Sequence, residues 1–136
     1  MFDRLSKRRG DAGFTLIELL VVMIIIGILA AIGIPIFLSQ RAKARDTATQ
    51  ADVSTVGKEI ATYYVDNVGA PPVVTVAAGE LRLDGVKVGN ASDGTAFGNQ
   101  TGLTSTTWCV SLTNPEGDTP TYRYSSAGGL EAGACA

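Results

Sequence analysis

The chain begins with a long apolar stretch, and apolar and polar positions mix beyond it. The segment Phe14–Leu38 carries one charged residue, Glu18, and the segment Leu19–Leu38 carries none. A helix needs roughly 20 apolar residues to cross a bilayer, so the stretch predicts a membrane-spanning helix. A cleaved secretory signal is the alternative, but its apolar region is shorter, roughly 7–15 residues. Here Ala30 and Ala31, which resemble a cleavage site, are followed by more apolar sequence.

A helical pattern continues after the apolar stretch but becomes one-sided. Positions three or four residues apart predict a face that packs against the rest of the chain, namely Thr49, Val53, Val56, Ile60 and Tyr63/Tyr64. We expect the charged residues on the opposite, solvated face: Arg41, Lys43, Arg45, Asp46, Asp52, Lys58 and Glu59.

The helix should end near Asp66. Asn67 or Gly69 can take the left-handed conformation that ends a helix, and the prolines that follow forbid its continuation. A helix from Phe14 to Asp66 would be about 80 Å long. Because a domain of this size cannot bury such a helix, the pattern predicts lipid or other copies of the chain around its first half.

The remaining residues, 68–136, show short alternating segments between turn residues. Leu81 to Val88 flanks an Asp-Gly pair, which is a strong hairpin signal. Arg82 and Lys87 would then face each other, with Glu80 able to relieve their repulsion, and Leu81, Leu83, Val86 and Val88 would share the buried face.

Further strands are predicted at 107–112, with Trp108, Val110 and Leu112 facing inward, and at 122–124. The segment 90–106 is predicted to be a surface loop. The expected fold class is α+β, with an antiparallel sheet of about three to five strands.

The composition of the chain excludes several kinds of catalytic, metal and nucleic-acid site. The chain has no histidine, a net charge of −2 and two cysteines. Histidine-based catalysis is therefore excluded, a structural zinc site is not expected, and no nucleic-acid site is predicted. We predict no catalytic residue, no metal and no cofactor. The start of the chain is basic, which favours a cytoplasmic N-terminus.

Glu18 is the unusual residue of the apolar stretch. A carboxylate at the centre of a spanning helix costs on the order of 2.5–3.5 kcal/mol, so it usually has a partner. The stretch itself holds no cation. The partner must be the chain start, another subunit or a proton, unless Glu18 reaches the cytoplasmic interface.

These residues carry a family resemblance. The string from Gly13 to Leu20, GFTLIELL, follows a basic leader and precedes a long apolar run. It resembles the signal of type IV prepilins, the family of type IV pilins, type II secretion pseudopilins and competence pilins. The resemblance is specific over Gly13–Leu38 and does not cover residues 73–136. It implies a pilin-like α+β fold with four parts: leader 1–13, membrane and assembly half 14–38, amphipathic half 39–67 and β-rich head 68–136.

The resemblance also implies a processing route. A prepilin peptidase would cut after Gly13 and methylate the new N-terminus at Phe14. Glu18 would be the assembly carboxylate that pairs with the Phe14 ammonium of a neighbouring subunit. Gly27, Gly33 and Pro35 would mark a stretch that unwinds in the filament; a mild kink in an ordinary membrane helix is the alternative.

Cys109 and Cys135 are expected to form a disulfide that ties the tail to the sheet, which requires an oxidising compartment. Two buried free thiols are the alternative. A cysteine pair in this part of the head resembles many type IV pilins more than the major pseudopilins.

The sequence therefore predicts a structural subunit of a type IV pilus, not an enzyme. It would sit in the cytoplasmic membrane as a precursor and then enter an extracellular helical filament serving adhesion, motility or DNA uptake. Its expected partners are copies of itself, the prepilin peptidase, the pilus assembly machinery and membrane lipid before assembly. A pseudopilin is the alternative within the family, and a monomeric membrane-anchored binding module is the alternative outside it.

Overall fold

The computed structural model describes residues 13–136. The predicted leader, apart from Gly13, therefore lies outside the described residues. The described chain contains helix α1 (Leu16–Asp66), followed by strands β1 (Val74–Ala77), β2 (Glu80–Leu83), β3 (Val86–Asn90), β4 (Ala96–Thr104), β5 (Thr107–Thr113), β6 (Thr121–Ser125) and β7 (Gly129–Ala132). Two compact units divide it, one ending at Ile36 and one spanning Phe37–Ala136.

The strands form two antiparallel sheets. The first has the order β1-β2-β3 and the second has the order β4-β5-β6-β7. The long helix followed by antiparallel sheets confirms the predicted α+β class. The prediction of a single sheet of about three to five strands is wrong, because the seven strands of the described chain form two sheets, of three and four strands.

Strand β4 lies inside the segment predicted to be a loop. Its glycines and polar residues suggested turns, but they suit a strand with two register shifts against β5. Gly98 lies so close to Ser111 that a Cβ would collide with it, and Gly102 has a φ of 68°. Glycine allows both close approach and positive φ, so these residues permit an irregular strand.

The core of the head lies between α1 and the sheets. The predicted stripe is confirmed: Thr49, Val53, Val56, Ile60 and Tyr64 are all buried. Val53, Val56, Ile60 and Tyr64 pack in one cluster with residues of both sheets, including Leu81, Trp108, Val110, Leu112 and Tyr122. The inward direction predicted for Trp108, Val110 and Leu112 is thereby confirmed.

The predicted hairpin is present. Asp84 and Gly85 both have positive φ, 49° and 81°, as its tight turn requires. Arg82 does pair with Lys87, and Glu80 forms ion pairs with both. The predicted burial of Val86 is wrong, because this side chain is 67% exposed. Val86 does pair with the buried Leu83 as predicted, but it lies beside the turn on β3, an edge strand of its sheet, where its side chain is left uncovered.

Candidate functional site

The first turn of α1 holds the charged residue of the apolar stretch in a capping box. The Thr15 backbone N–H and hydroxyl donate to Oε2 of Glu18 at 2.9 and 2.7 Å, and the Glu18 N–H donates to the Thr15 hydroxyl at 3.2 Å. This reciprocal pattern satisfies donors that a helix start leaves unpaired. Within residues 13–136, the other carboxylate oxygen, Oε1, has no hydrogen-bond partner.

Around this turn the apolar side chains are uncovered. Phe14 and Leu16 are each 88% exposed. A shallow depression of about 380 Å³ is lined by Phe14, Ile17, Glu18, Val21 and Val22. The carboxylate thus lies beside an open apolar surface that a second hydrophobic segment can cover.

The rest of the N-terminal half of α1 is also exposed. Its large apolar residues from Leu19 to Leu38 are all more than two-fifths exposed. One helix in the described chain is long and apolar enough to cross a bilayer, judged by length and composition. Gly27 and Gly33 have open space around their Cα atoms, and α1 continues through Pro35.

Three charged residues of α1 for which the sequence predicts a solvated position are instead buried or half-buried, namely Asp46, Asp52 and Arg45. Asp46 and Asp52 are 8% and 6% exposed, so placing them on the solvated face was wrong. Asp46 accepts the Thr119 N–H at 3.1 Å, and Asp52 accepts the Ser92 N–H at 2.7 Å. Both carboxylates hold loops of the head against α1.

Arg45 also joins α1 to two loops of the head. Its guanidinium forms ion pairs with Asp93 at 3.3 Å and Glu116 at 2.6 Å, and it donates to the Asp93 carbonyl. Two loops that are far apart in sequence therefore meet on one cation. Within residues 13–136, no group of three or more His, Cys, Asp and Glu residues is placed to hold a metal ion.

A sequence signal for these contacts existed. Asp46, Thr49, Asp52 and Val53 follow one another at helical spacing, so both acids lie on or beside the predicted buried stripe. The sequence cannot identify their partners, because Ser92 and Thr119 are 40 and 73 residues away.

The two cysteines are joined. Cys109 on β5 and Cys135 in the tail form a disulfide with a Cα–Cα distance of 5.8 Å. Asn99 donates to the Cys135 carbonyl and accepts from its N–H, and Thr101 donates to the terminal carbonyl of Ala136. The tail is therefore fixed to strands β4 and β5 by hydrogen bonds as well as by the disulfide.

Comparison with known families and proteins finds one matching sequence motif and several similar proteins. Residues 8–34 match the prokaryotic N-terminal methylation motif. The chain is 38% identical over 65 residues to the type II secretion system core protein G of Pseudomonas aeruginosa, covering 48% of this chain and 46% of that protein. It is 48% identical over 59 residues to the type IV wide pilus major component PilA4 of Thermus thermophilus, covering 43% and 45%.

A longer match reaches the type IV major fimbrial protein FimA of Dichelobacter nodosus. It is 34% identical over 92 residues, covering 68% of this chain and 59% of that protein. No solved structure matches the chain significantly. The chain spans about half the length of the first two curated relatives. With the methylation motif, the long apolar helix and the antiparallel head, these matches support the pilin family, which is represented among the relatives by both type IV pilins and type II secretion pseudopilins.

Proposed function

We propose that the chain is the structural subunit of a type IV pilus, made as a membrane-anchored precursor and polymerised through the N-terminal half of α1. The observation that carries the proposal is the uncovered apolar surface around Glu18, whose Oε1 has no partner among the residues that the structure describes. Such a surface needs lipid or other helices around it. Identical chains provide those helices.

Processing would supply the missing cation. Cleavage after Gly13 frees the backbone nitrogen of Phe14, and that ammonium, N-methylated, can pair with Oε1 of Glu18 on a neighbouring chain. A buried charge that loses its partner costs about 3–5 kcal/mol. An uncleaved chain has no such ammonium, so the filament would admit only processed subunits.

The remaining parts of the chain follow from this role. The leader would be residues 1–13, the membrane and assembly half 14–38, the amphipathic half 39–67 and the head 68–136. Before assembly the helix would lie in the cytoplasmic membrane with its N-terminus inside, where the prepilin peptidase and the pilus machinery act. Gly27, Gly33 and Pro35 are the positions at which the helix would unwind in the filament.

The extent of similarity favours a pilus over a secretion pseudopilus. A 92-residue match must include residues beyond the end of α1 at Asp66, so the likeness to the fimbrial protein reaches the head. A 65-residue match to the secretion protein fits within the chain up to Asp66. The disulfide in the head supports the same choice.

A secretion pseudopilin is the second candidate, because the methylation motif is common to both and a secretion core protein is among the relatives. Electron microscopy of cells at native expression separates the two. Long surface fibres labelled by an antibody to the head support the pilus. Secretion of an exoprotein that depends on this gene, with no surface fibres, supports the pseudopilus.

Removing the charge of Glu18 tests the assembly mechanism. Glu18→Gln should leave the amount of processed protein in the membrane unchanged and reduce sheared filaments at least about tenfold, since an uncompensated ammonium costs several kcal/mol. Thr15→Ser, which keeps the capping hydroxyl, is the matched control and should assemble normally. Normal filament yield from Glu18→Gln would contradict the mechanism.

A further inference from the structure

An apolar groove at the far end of α1 has acidic residues along its rim and no occupant in the described chain. The groove has a volume of about 370 Å³ and lies between the last turns of the helix and the β2–β3 hairpin. Leu83, Val86 and Val88 form its apolar wall. Its rim carries three exposed carboxylates, Glu59, Asp66 and Asp84.

None of these carboxylates has an ion-pair partner among residues 13–136. Asp84 accepts the Val73 N–H at 2.7 Å, which holds the turn but leaves its charge uncompensated. The exposure of Val86, at 67%, leaves one apolar wall uncovered. A long cationic side chain suits this groove, because its aliphatic stem can cover the wall while its head meets the carboxylates.

The same helix carries the complementary charge. Arg41 and Lys43 are exposed, and neither has an ion-pair partner within the described residues. They precede Glu59 and Asp66 by 16 to 25 positions, which corresponds to roughly 24–38 Å along a helix. One end of the amphipathic half is therefore cationic and the other end is anionic.

We propose that the acidic groove of one copy receives Arg41 and Lys43 of a second, parallel copy displaced along the helix axis by about 30 Å. The inference rests on the proposed polymer and adds the axial relation between subunits. Parallel copies without displacement would bring Arg41 against Arg41, and like charges in contact cost several kcal/mol. The displaced arrangement replaces that repulsion with attraction and covers Val86.

The second copy is a better occupant than a lipid surface for Arg41 and Lys43. Lipid headgroups would satisfy the two cations but would leave the groove open and its carboxylates unpaired. A second copy accounts for both ends of the helix with residues of one sequence.

Charge reversal and its reciprocal restoration test the proposal in cells that assemble the full chain. Arg41→Glu with Lys43→Glu should reduce sheared filaments roughly tenfold, and Glu59→Lys with Asp66→Lys should do the same. The four changes together should restore most of the yield. Lys58→Glu is the control, because Lys58 is exposed but does not line the groove. Membrane levels of processed protein are measured alongside, so that loss of folding or insertion is seen directly.

The outcomes distinguish failure of the proposed polymer from failure of the proposed contact between the groove and the two cations. Wild-type cells without filaments would overturn the polymer and the inference together. Normal filaments from the groove reversal, or a combined variant as poor as its parents, would overturn the inference alone. Loss only with the Arg41 and Lys43 reversal would assign those cations to lipid headgroups instead of the groove.

A cross-link gives an independent measurement. Arg41→Cys with Glu59→Cys, positions whose separation along the helix is about 27 Å, should produce a ladder of disulfide-linked chains when sheared filaments are run without reductant. Each single cysteine variant should give no ladder. Filaments of the double variant that run only as monomers under oxidising conditions would contradict the proposed contact.

Discussion

Gly57 is a residue at which helix propensity and packing disagree. Glycine inside a helix costs roughly 1 kcal/mol relative to alanine, so on propensity alone it weakens α1. In the structure it is buried, and a Cβ at this position would overlap the ring of Tyr124. Tyr124 in turn stacks on Trp108, with ring centroids 6.0 Å apart. The glycine lets the helix approach the second sheet closely.

Gly57→Ala should therefore destabilise the head despite its better helix propensity. Overpacking a core costs about 1–3 kcal/mol, whereas replacing a helical glycine by alanine gains roughly 1 kcal/mol. Over most of that range the cost of overpacking is larger than the gain in helix propensity. Thermal unfolding of the mature chain in detergent measures the difference. Thr62→Ala, at an exposed helix position, should be neutral or slightly stabilising. A Gly57→Ala protein more stable than wild type would show that the helix does not pack this closely.

Glu80 is a second residue with a defined physical role. Lys87 at 3.0 Å and Arg82 hold the pKa of its carboxyl below the ordinary value of 4.5. A carboxylate with a lowered pKa stabilises the fold above its unfolded pKa and loses that contribution as the pH falls through its folded pKa.

Glu80→Gln should therefore lower the unfolding temperature at neutral pH. The gap to wild type should close as the pH falls through the lowered pKa of the wild-type carboxyl, because that carboxyl then also becomes neutral. Melting curves of both proteins from neutral to acidic pH provide the test. A gap that stays constant across that range would assign the effect to packing instead of charge.

At the scale of elements, α1 organises the head through both apolar and charged contacts. The spacing of Val53, Val56 and Ile60 predicted its buried face correctly, because helical periodicity is local information. The partners of Asp46 and Asp52 could not be predicted, since each lies in a distant loop. Strand β4 was missed for a similar reason: only its pairing with β5 distinguishes its glycine-rich sequence from a loop.

Asp52→Ala tests this role of the helix. It leaves the Ser92 N–H without its acceptor, and a lost buried partner costs about 1–3 kcal/mol. The head should unfold at a lower temperature, and the Ser92 amide should exchange its hydrogen faster. Glu59→Ala, at an exposed position on the same helix, should change neither quantity. Equal stability of the two variants would mean that Asp52 does not hold the loop.

At the scale of the whole molecule, the N-terminal sequence carried most of the functional information. GFTLIELL and the apolar run after it carry the resemblance to type IV prepilins. The lone carboxylate adds a physical point, because Glu18 has no cation to pair with inside the apolar stretch. The acidic groove could not be read from the sequence. Glu59 and Asp66 lie on the helix, but Asp84 and Val86 join them only when the hairpin folds against it.

The central claim is that a processed chain, beginning at Phe14, is the form that polymerises. Mass spectrometry of filaments sheared from cells tests this most directly. We expect every filament subunit to begin at an N-methylated Phe14 and to carry Cys109 and Cys135 joined. Filaments built from chains that still carry residues 1–13, or processed chains found only as single molecules in the membrane, would contradict it.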